Sequence, residues 1–260
     1  MPELPDVEGF REVLDSCGRG RRVRHVDVRD AGVLRGVGVR RLRREVEGRR
    51  LGRPHRHGKL LVAPVGDGPA LVWHFGMTGE LVPASAGDPL DRHDRVVLTL
   101  DGERQLRYRD QRKLQGVRLA DGPGAVARML EGLGPDAFDI GRGEFLALLA
   151  GRRGAVKALL MDQSAIAGLG NLLCDEILWR ARVAPGRPAR DLGEAEARRM
   201  FTAMRRVLAT SCRASRVPPR PGWLTGHRDD ADPVCPRCGT PLRSRRVSGR
   251  RTVWCPACQH

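Results

Sequence analysis

Leu4, Val7, Phe10 and Leu14 recur at helical spacing, and the pattern predicts an amphipathic helix over residues 5–17 with Pro5 in its first turn. From Arg22 to Leu119 the period shortens to that of strands. Val26 and Val28 alternate with polar neighbours, and Leu60-Leu61-Val62 and Leu71-Val72-Trp73 are short apolar runs. Val96–Leu100, Asp101-Gly102 and Leu106–Tyr108 read as a hairpin closed by a type I′ turn. This half of the chain is expected to form an antiparallel β-sandwich.

Asp121-Gly-Pro-Gly124 breaks the pattern and reads as a linker. Periodicity is then helical, with helices predicted over 125–133, 143–151, 153–162, 170–181 and 193–211. Ser215–Gly222, with three prolines, is a second breaker, and a cysteine-bearing module follows it. The expected fold is therefore α+β and multidomain: a β-sandwich domain flanked by helices over 1–121, a helical domain over 125–214 and a small module over 223–260.

Composition adds a partner. The 260 residues carry a formal charge of +16, and the stretch from Phe201 to His260, with twelve arginines against three aspartates, holds +9 of it. Charge so concentrated points to a polyanion, nucleic acid above all. Only three of the 47 basic side chains are lysines, Lys59, Lys113 and Lys157, which suggests sites that need a compact ammonium. No run of 18 apolar residues and no charged-then-apolar leader is present, so a soluble protein with no membrane partner and a cytoplasmic, nucleoid-associated location is expected.

Cys235-Pro-Arg-Cys238 and Cys255-Pro-Ala-Cys258, sixteen residues apart, have the spacing of a closed structural zinc site with four cysteine ligands. The arginines between the knuckles suit phosphates. Gln163 to Arg180 reads as a helix end, a Gly168/Gly170 turn and a second helix starting at Asn171, where backbone N–H groups can hold a phosphate; simple close packing is the other reading of those glycines. Gly58-Lys59 delivers one lysine at a strand end, and His74-to-Gly79 exposes Met77 between glycines, as a core residue or as a wedge for a base stack. Arg107-to-Leu114 adds a basic loop.

At the N-terminus, Pro2 follows an initiator Met that trimming removes readily. The exposed secondary amine titrates at roughly pKa 8 and is partly nucleophilic in the cell. Its attack on a sugar C1′ gives a cationic iminium, with Glu3 placed to shuttle protons. The other reading of Pro2 is a plain trimmed start.

Taken together, Met1-Pro-Glu-Leu-Pro-Asp-Val-Glu8, the Gly58-Lys59 turn, the His74–Gly79 loop, Gly168–Trp179 and the closing Arg250–Gln259 motif resemble the formamidopyrimidine-DNA glycosylase/endonuclease VIII family from end to end. The resemblance implies a base-excision DNA glycosylase and AP lyase, with damaged duplex DNA in a cleft between the β-sandwich and a helix-two-turn-helix-plus-zinc domain. It assigns catalysis to Pro2, Glu3, Lys59 and Glu176, and DNA contacts to His74, Lys157, Asn171 and Arg250. Met77, Arg112 and Leu114 match the residues that fill the space left by a flipped base. One structural Zn²⁺ on Cys235, Cys238, Cys255 and Cys258, no nucleotide cofactor and a monomer are implied. Elimination at both the 3′ and 5′ phosphates would leave a one-nucleotide gap.

The sequence also departs from the family. Asp6 replaces a usual glutamate, Gln111 and Leu114 stand for the proline and phenylalanine of the purine-specific branch, and Leu173 replaces a common tyrosine. The Ser211–Val234 stretch is short, with Gly222-Trp-Leu-Thr-Gly-His in place of a glycine-aromatic capping sequence. The lesion is therefore left open between 8-oxoguanine or formamidopyrimidine and oxidised pyrimidines. The alternatives are a glycosylase for bulky or alkylated adducts and a non-catalytic damaged-DNA-binding protein.

Overall fold

The helix predicted at the N-terminus is α1 (Leu4–Gly18), which buries Leu4, Val7 and Leu14 completely. A computed structural model describes residues 1–260, which group into two units: Met1–Pro2 with Asp6–Gly132, and Glu3–Pro5 with Leu133–His260. Glu3, Leu4 and Pro5 thus belong with the C-terminal half, although α1 continues into the N-terminal unit.

The N-terminal unit contains two four-stranded antiparallel sheets. One runs in the order β1 (Val23–Val28), β6 (Asp94–Leu100), β7 (Arg104–Arg109), β5 (Glu80–Ser85). The other runs β2 (His55–His57), β3 (Leu60–Pro64), β4 (Ala70–His74), β8 (Gly116–Ala120). Leu71, Trp73 and Val117 of the second sheet share one core with Val96, Leu98, Leu106 and Tyr108 of the first. Each such side chain contributes about 1.5–3 kcal/mol by leaving water.

Three local expectations need correction. The β6–β7 connection is not a two-residue type I′ turn on Asp101-Gly102: Leu100 ends one strand, Arg104 starts the next, and the positive φ values fall at Gly102 and Glu103. Asp101 instead turns its carboxylate back to accept the backbone N–H of Arg22 and the guanidinium of Arg24. The stretch between β1 and β2 also holds a helix, α2 (Val39–Val46), whose buried face is only Leu42 and Val46. The expected linker at Asp121–Gly124 is a helix start: α3 (Gly122–Leu130) has Pro123 in its first turn and packs on β4 and β8.

The C-terminal unit is helical, with α4 (Arg142–Ala150), α5 (Val156–Met161), α6 (Asn171–Ala181) and α7 (Glu194–Arg213). Leu173, Cys174, Ile177, Leu178 and Ala181 make α6 the buried centre, against Met200, Met204, Val207 and Leu208 of α7. Helix α5 is shorter than its apolar pattern suggests, because Ala155 is extended and bridged to Pro188. A two-stranded hairpin, β9 (Arg243–Val247) and β10 (Arg250–Trp254), ends the chain and joins Trp179 of α6 through Leu224, Cys235, Val253 and Cys255. No helix is long and apolar enough to cross a membrane.

Candidate active site and nucleic-acid interface

In the N-terminal unit, β2 and β3 are joined by the two residues Gly58 and Lys59, since His57 pairs with Leu60. Gly58 has a φ of 56°, which fits a glycine-first hairpin turn and places Lys59 at the tip. Leu60 also pairs with His74 across β3 and β4, so Lys59 and His74 share one end of the sheet. Burial holds His74 below the usual imidazole range, and the positive charges of Lys59 and Arg118 add to the effect. The Gly76 N–H donates to His74 Nδ1 at 3.0 Å, so the neutral ring carries its proton on Nε2 and offers that N–H as a donor.

The next loop depends on Asp110, which is 1 % exposed. Its carboxylate accepts Thr78 Oγ1 at 2.6 Å, the Tyr108 hydroxyl at 3.0 Å and the Arg112 N–H at 3.1 Å. Those bonds tie the Met77 loop to the Arg112 loop, and Arg112 reaches Met77 Sδ at 2.9 Å. Lys113, with φ 52°, fixes the far side by pairing with Asp30 at 2.9 Å. Leu114 is left 50 % exposed, an apolar side chain held out on a braced loop.

In the C-terminal unit, Gly170 occupies the N-cap of α6 and has no side chain to satisfy the helix N–H groups. Glu3 does so from a distance in sequence: its carboxylate accepts the N–H of Leu172 at 2.8 Å and of Leu173 at 3.1 Å. This is a capping interaction with the helix dipole in its favour. A Cβ on Gly170 would collide with the Glu3 carboxyl, so the glycine is required by close approach. Gly168, with φ +110°, turns the chain so that its carbonyl accepts the Leu4 N–H at 3.1 Å.

Asn171 opens α6, and its Oδ1 accepts Lys157 Nζ at 2.7 Å, leaving the amide N–H groups as donors. Lys157 itself is fully buried. It pairs with Asp175 at 2.6 Å and also donates to Thr252 Oγ1 at 2.7 Å. The ammonium of Lys157, expected from the sequence to contact DNA, is enclosed here by protein acceptors. Glu176 is likewise fully buried, accepting Arg180 Nε at 2.8 Å and the Thr225 N–H at 3.1 Å. Burial still pushes its carboxyl above the usual range.

The four cysteine Sγ atoms lie within 4.8 Å of one another. Tetrahedral Zn–S bonds of about 2.3 Å give S–S edges of about 3.8 Å, so Cys235, Cys238, Cys255 and Cys258 fit one Zn²⁺. The Trp179 indole N–H points at Cys235 Sγ from 3.4 Å. Between the knuckles, Ser248 and Gly249 both have positive φ and close the β9–β10 hairpin tightly, with exposed Arg250 directly after the turn.

Sequence reasoning missed Asp110, Asp175, Arg228 and Thr225. Asp175 did carry a signal: it interrupts the apolar run Leu172–Trp179 together with Glu176, where a charge needs a partner.

The chain thus combines a β-sandwich unit with a helical unit that carries a four-cysteine zinc site, and comparison with known proteins identifies the class as DNA glycosylases. Residues 1–117 match the formamidopyrimidine-DNA glycosylase N-terminal domain, 132–217 the helix-two-turn-helix domain of the same glycosylase, and 233–260 the zinc finger found in FPG and IleRS. The formamidopyrimidine-DNA glycosylase of Alkalilimnicola ehrlichii is 36% identical over 280 residues covering all of both chains. That of Thermus thermophilus is 38% identical over 281 residues, covering 100% of this chain and 98% of the relative. The Lactococcus lactis Fpg protein, solved with a THF-DNA and an inhibitor, superposes with a TM-score of 0.90 at 26% identity over 100% of both chains. The Lactococcus lactis complex with an oxidised-pyrimidine DNA gives 0.90 at 26% identity over 99% of both. The chain belongs to the formamidopyrimidine-DNA glycosylase family. It is a base-excision DNA glycosylase for oxidised bases, with AP lyase activity, and it carries one structural Zn²⁺.

Proposed function

We propose that Pro2, after removal of Met1, is the nucleophile on damaged duplex DNA. The carrying observation is Glu3, whose carboxylate is fixed on the α6 N-terminus immediately beside Pro2 in the chain. Pro2 N forms a bond to C1′ as the glycosidic bond breaks and the base leaves with a proton. Glu3 takes the Pro2 N–H proton and passes it to O4′, which opens the sugar and yields the C1′ iminium. Loss of the C2′ proton then expels the 3′ phosphate, and a second elimination expels the 5′ phosphate. Lys59, the His74 Nε2–H, the Asn171 amide and Arg250 hold phosphates, Glu176 supports the proline end, and Met77, Arg112 and Leu114 occupy the vacated stack. Lys157 acts through Asn171.

The enzyme works as a monomer, without a nucleotide cofactor, in the cytoplasm on the nucleoid. Substrate breadth follows from Leu114, which fills space without the geometry of an aromatic ring. The solved relatives bound to carbocyclic 8-oxo-G, to an oxidised pyrimidine and to N7-benzyl-Fapy-dG make these lesions the panel of choice.

Borohydride trapping on that panel and on an abasic site is the test. A covalent adduct that is sharply reduced in Pro2→Gly supports the reading. No adduct with any duplex, from protein whose N-terminus is shown to be Pro2, sinks it.

A further inference from the structure

Helix α7 carries a charge arrangement that the site above does not use. Two open grooves, of about 440 and about 360 Å³, share Arg180 and Arg206 as lining residues. Arg198 and Arg199 continue the first and Arg213 continues the second, and no acidic residue lines either. Positions 198, 202, 206, 209 and 213 follow the helical repeat, so they form one stripe of about 22 Å along the helix. Arg198 is paired with Glu194 at 2.5 Å, Arg199 has only a long contact to Glu196 at 3.9 Å, and Arg206 and Arg213 make no ion pair. The stripe is a standing excess of exposed guanidinium.

Its place on the fold separates it from the α6 N-terminus. Arg180, which borders both grooves, is nine residues beyond Asn171 on α6, about 14 Å along the axis. A phosphate held at Asn171 therefore does not fill the α7 grooves.

We infer that the arginine stripe of α7 holds a second length of DNA backbone, outside the lesion-bearing stretch; the inference rests on the DNA-glycosylase reading. A small anion is the poorer fit, because these donors are strung along a helix and exposed instead of converging on one buried point. An acidic protein is poorer too. A protein partner needs an apolar anchor pocket, and here Ala203, Ala209 and Val207 offer little, while Arg180 already covers the Trp223 ring at 4.6 Å. A duplex strand presents a phosphate about every 3.4 Å of axis, so a row of this length spans several.

The experiment compares the full chain with the combined variant Arg199→Gln, Arg206→Gln, Arg213→Gln. Binding is followed by anisotropy across a salt series. One duplex covers only an abasic-site analogue and its immediate flanks; the other extends well beyond them. Wild type is expected to bind the long duplex more tightly, with a steeper salt dependence. In the variant that advantage disappears and the long-duplex slope falls by about 2 to 3, at about 0.9 per lost phosphate contact. Arginine-to-lysine versions at the same positions restore most of the slope. Borohydride trapping on a short duplex with a true abasic site stays at the wild-type level, which also shows that the variant is folded. An unchanged long-duplex slope overturns the inference. Failure of wild type to trap on the short duplex instead overturns the assignment of Pro2 as the nucleophile.

Discussion

Lys157 Nζ and Asp175 Oδ1 lie 2.6 Å apart with both side chains fully buried, and the pair joins α5 and α6 to the zinc hairpin. Asp175 is shared: its Oδ2 accepts Arg228 at 2.7 Å and the Val253 N–H at 3.2 Å. Removing one member of a buried charge pair typically costs about 3–5 kcal/mol, because the other is left uncompensated. The two single losses are not equivalent here. Lys157→Met leaves Asp175 with Arg228, whereas Asp175→Asn deprives two buried cations, Lys157 and Arg228, of their shared carboxylate. Urea unfolding should therefore show the larger loss for Asp175→Asn, and Lys157→Met with Asp175→Leu together should cost less than the sum. Equal or additive losses would show that the three groups do not act as a unit.

What is legible in the sequence, and what is hidden, divides along the range of the interactions. Helix α1 and the zinc ligands are readable because their information is local: an apolar repeat, and a ligand spacing. The Gly168/Gly170 turn is readable as a turn, but the reason for Gly170 lies in Glu3, whose partner Leu172 is 169 residues away in sequence. Helix α2 is hidden because Leu42 and Val46 are its only buried side chains, and four arginines around them imitate a loop. Lys157 stands out by its rarity and invites a DNA-contact role, since nothing in its neighbours announces that Asp175, Asn171 and Thr252 converge on it. Asp110 reads only as part of a basic loop, yet three hydrogen bonds make it the brace of the Met77–Arg112 pair.

Glu176 carries a pH signature. Burial raises its carboxyl above the unfolded value despite Thr225 and Arg180. The stability associated with its proton is fully present below the unfolded pKa and is lost as pH rises through the higher folded pKa. Glu176→Gln, which cannot ionise, should therefore gain stability relative to wild type as pH rises through that window and hold a constant offset above it. Thermal melts of both proteins from acid to neutral pH measure this. A difference that does not vary with pH would place the ionised carboxylate at no disadvantage in the fold.

Gly170→Ala separates catalysis from stability at the α6 N-terminus. The new methyl cannot coexist with the Glu3 carboxyl in its observed place, so Glu3 must give up the Leu172 and Leu173 N–H groups. Losing a cap of this kind costs about 0.5–2 kcal/mol, so the protein remains folded. Alanine keeps the helix start, and Pro2 keeps its amine. Base excision, which needs a proton delivered during ring opening, should fall steeply in this variant. Action on a preformed abasic site, where the aldehyde is already available to Pro2, should be much less affected. Glu3→Gln should show the same split while retaining the alanine-free turn, and the two changes combined should be no worse than either alone. Single-turnover rates on a damaged base and on an abasic site, measured side by side, decide the matter. A uniform loss of both activities in Gly170→Ala would mean that the glycine serves only to shape the turn, and that the position of Glu3 on the helix end is not what the chemistry uses.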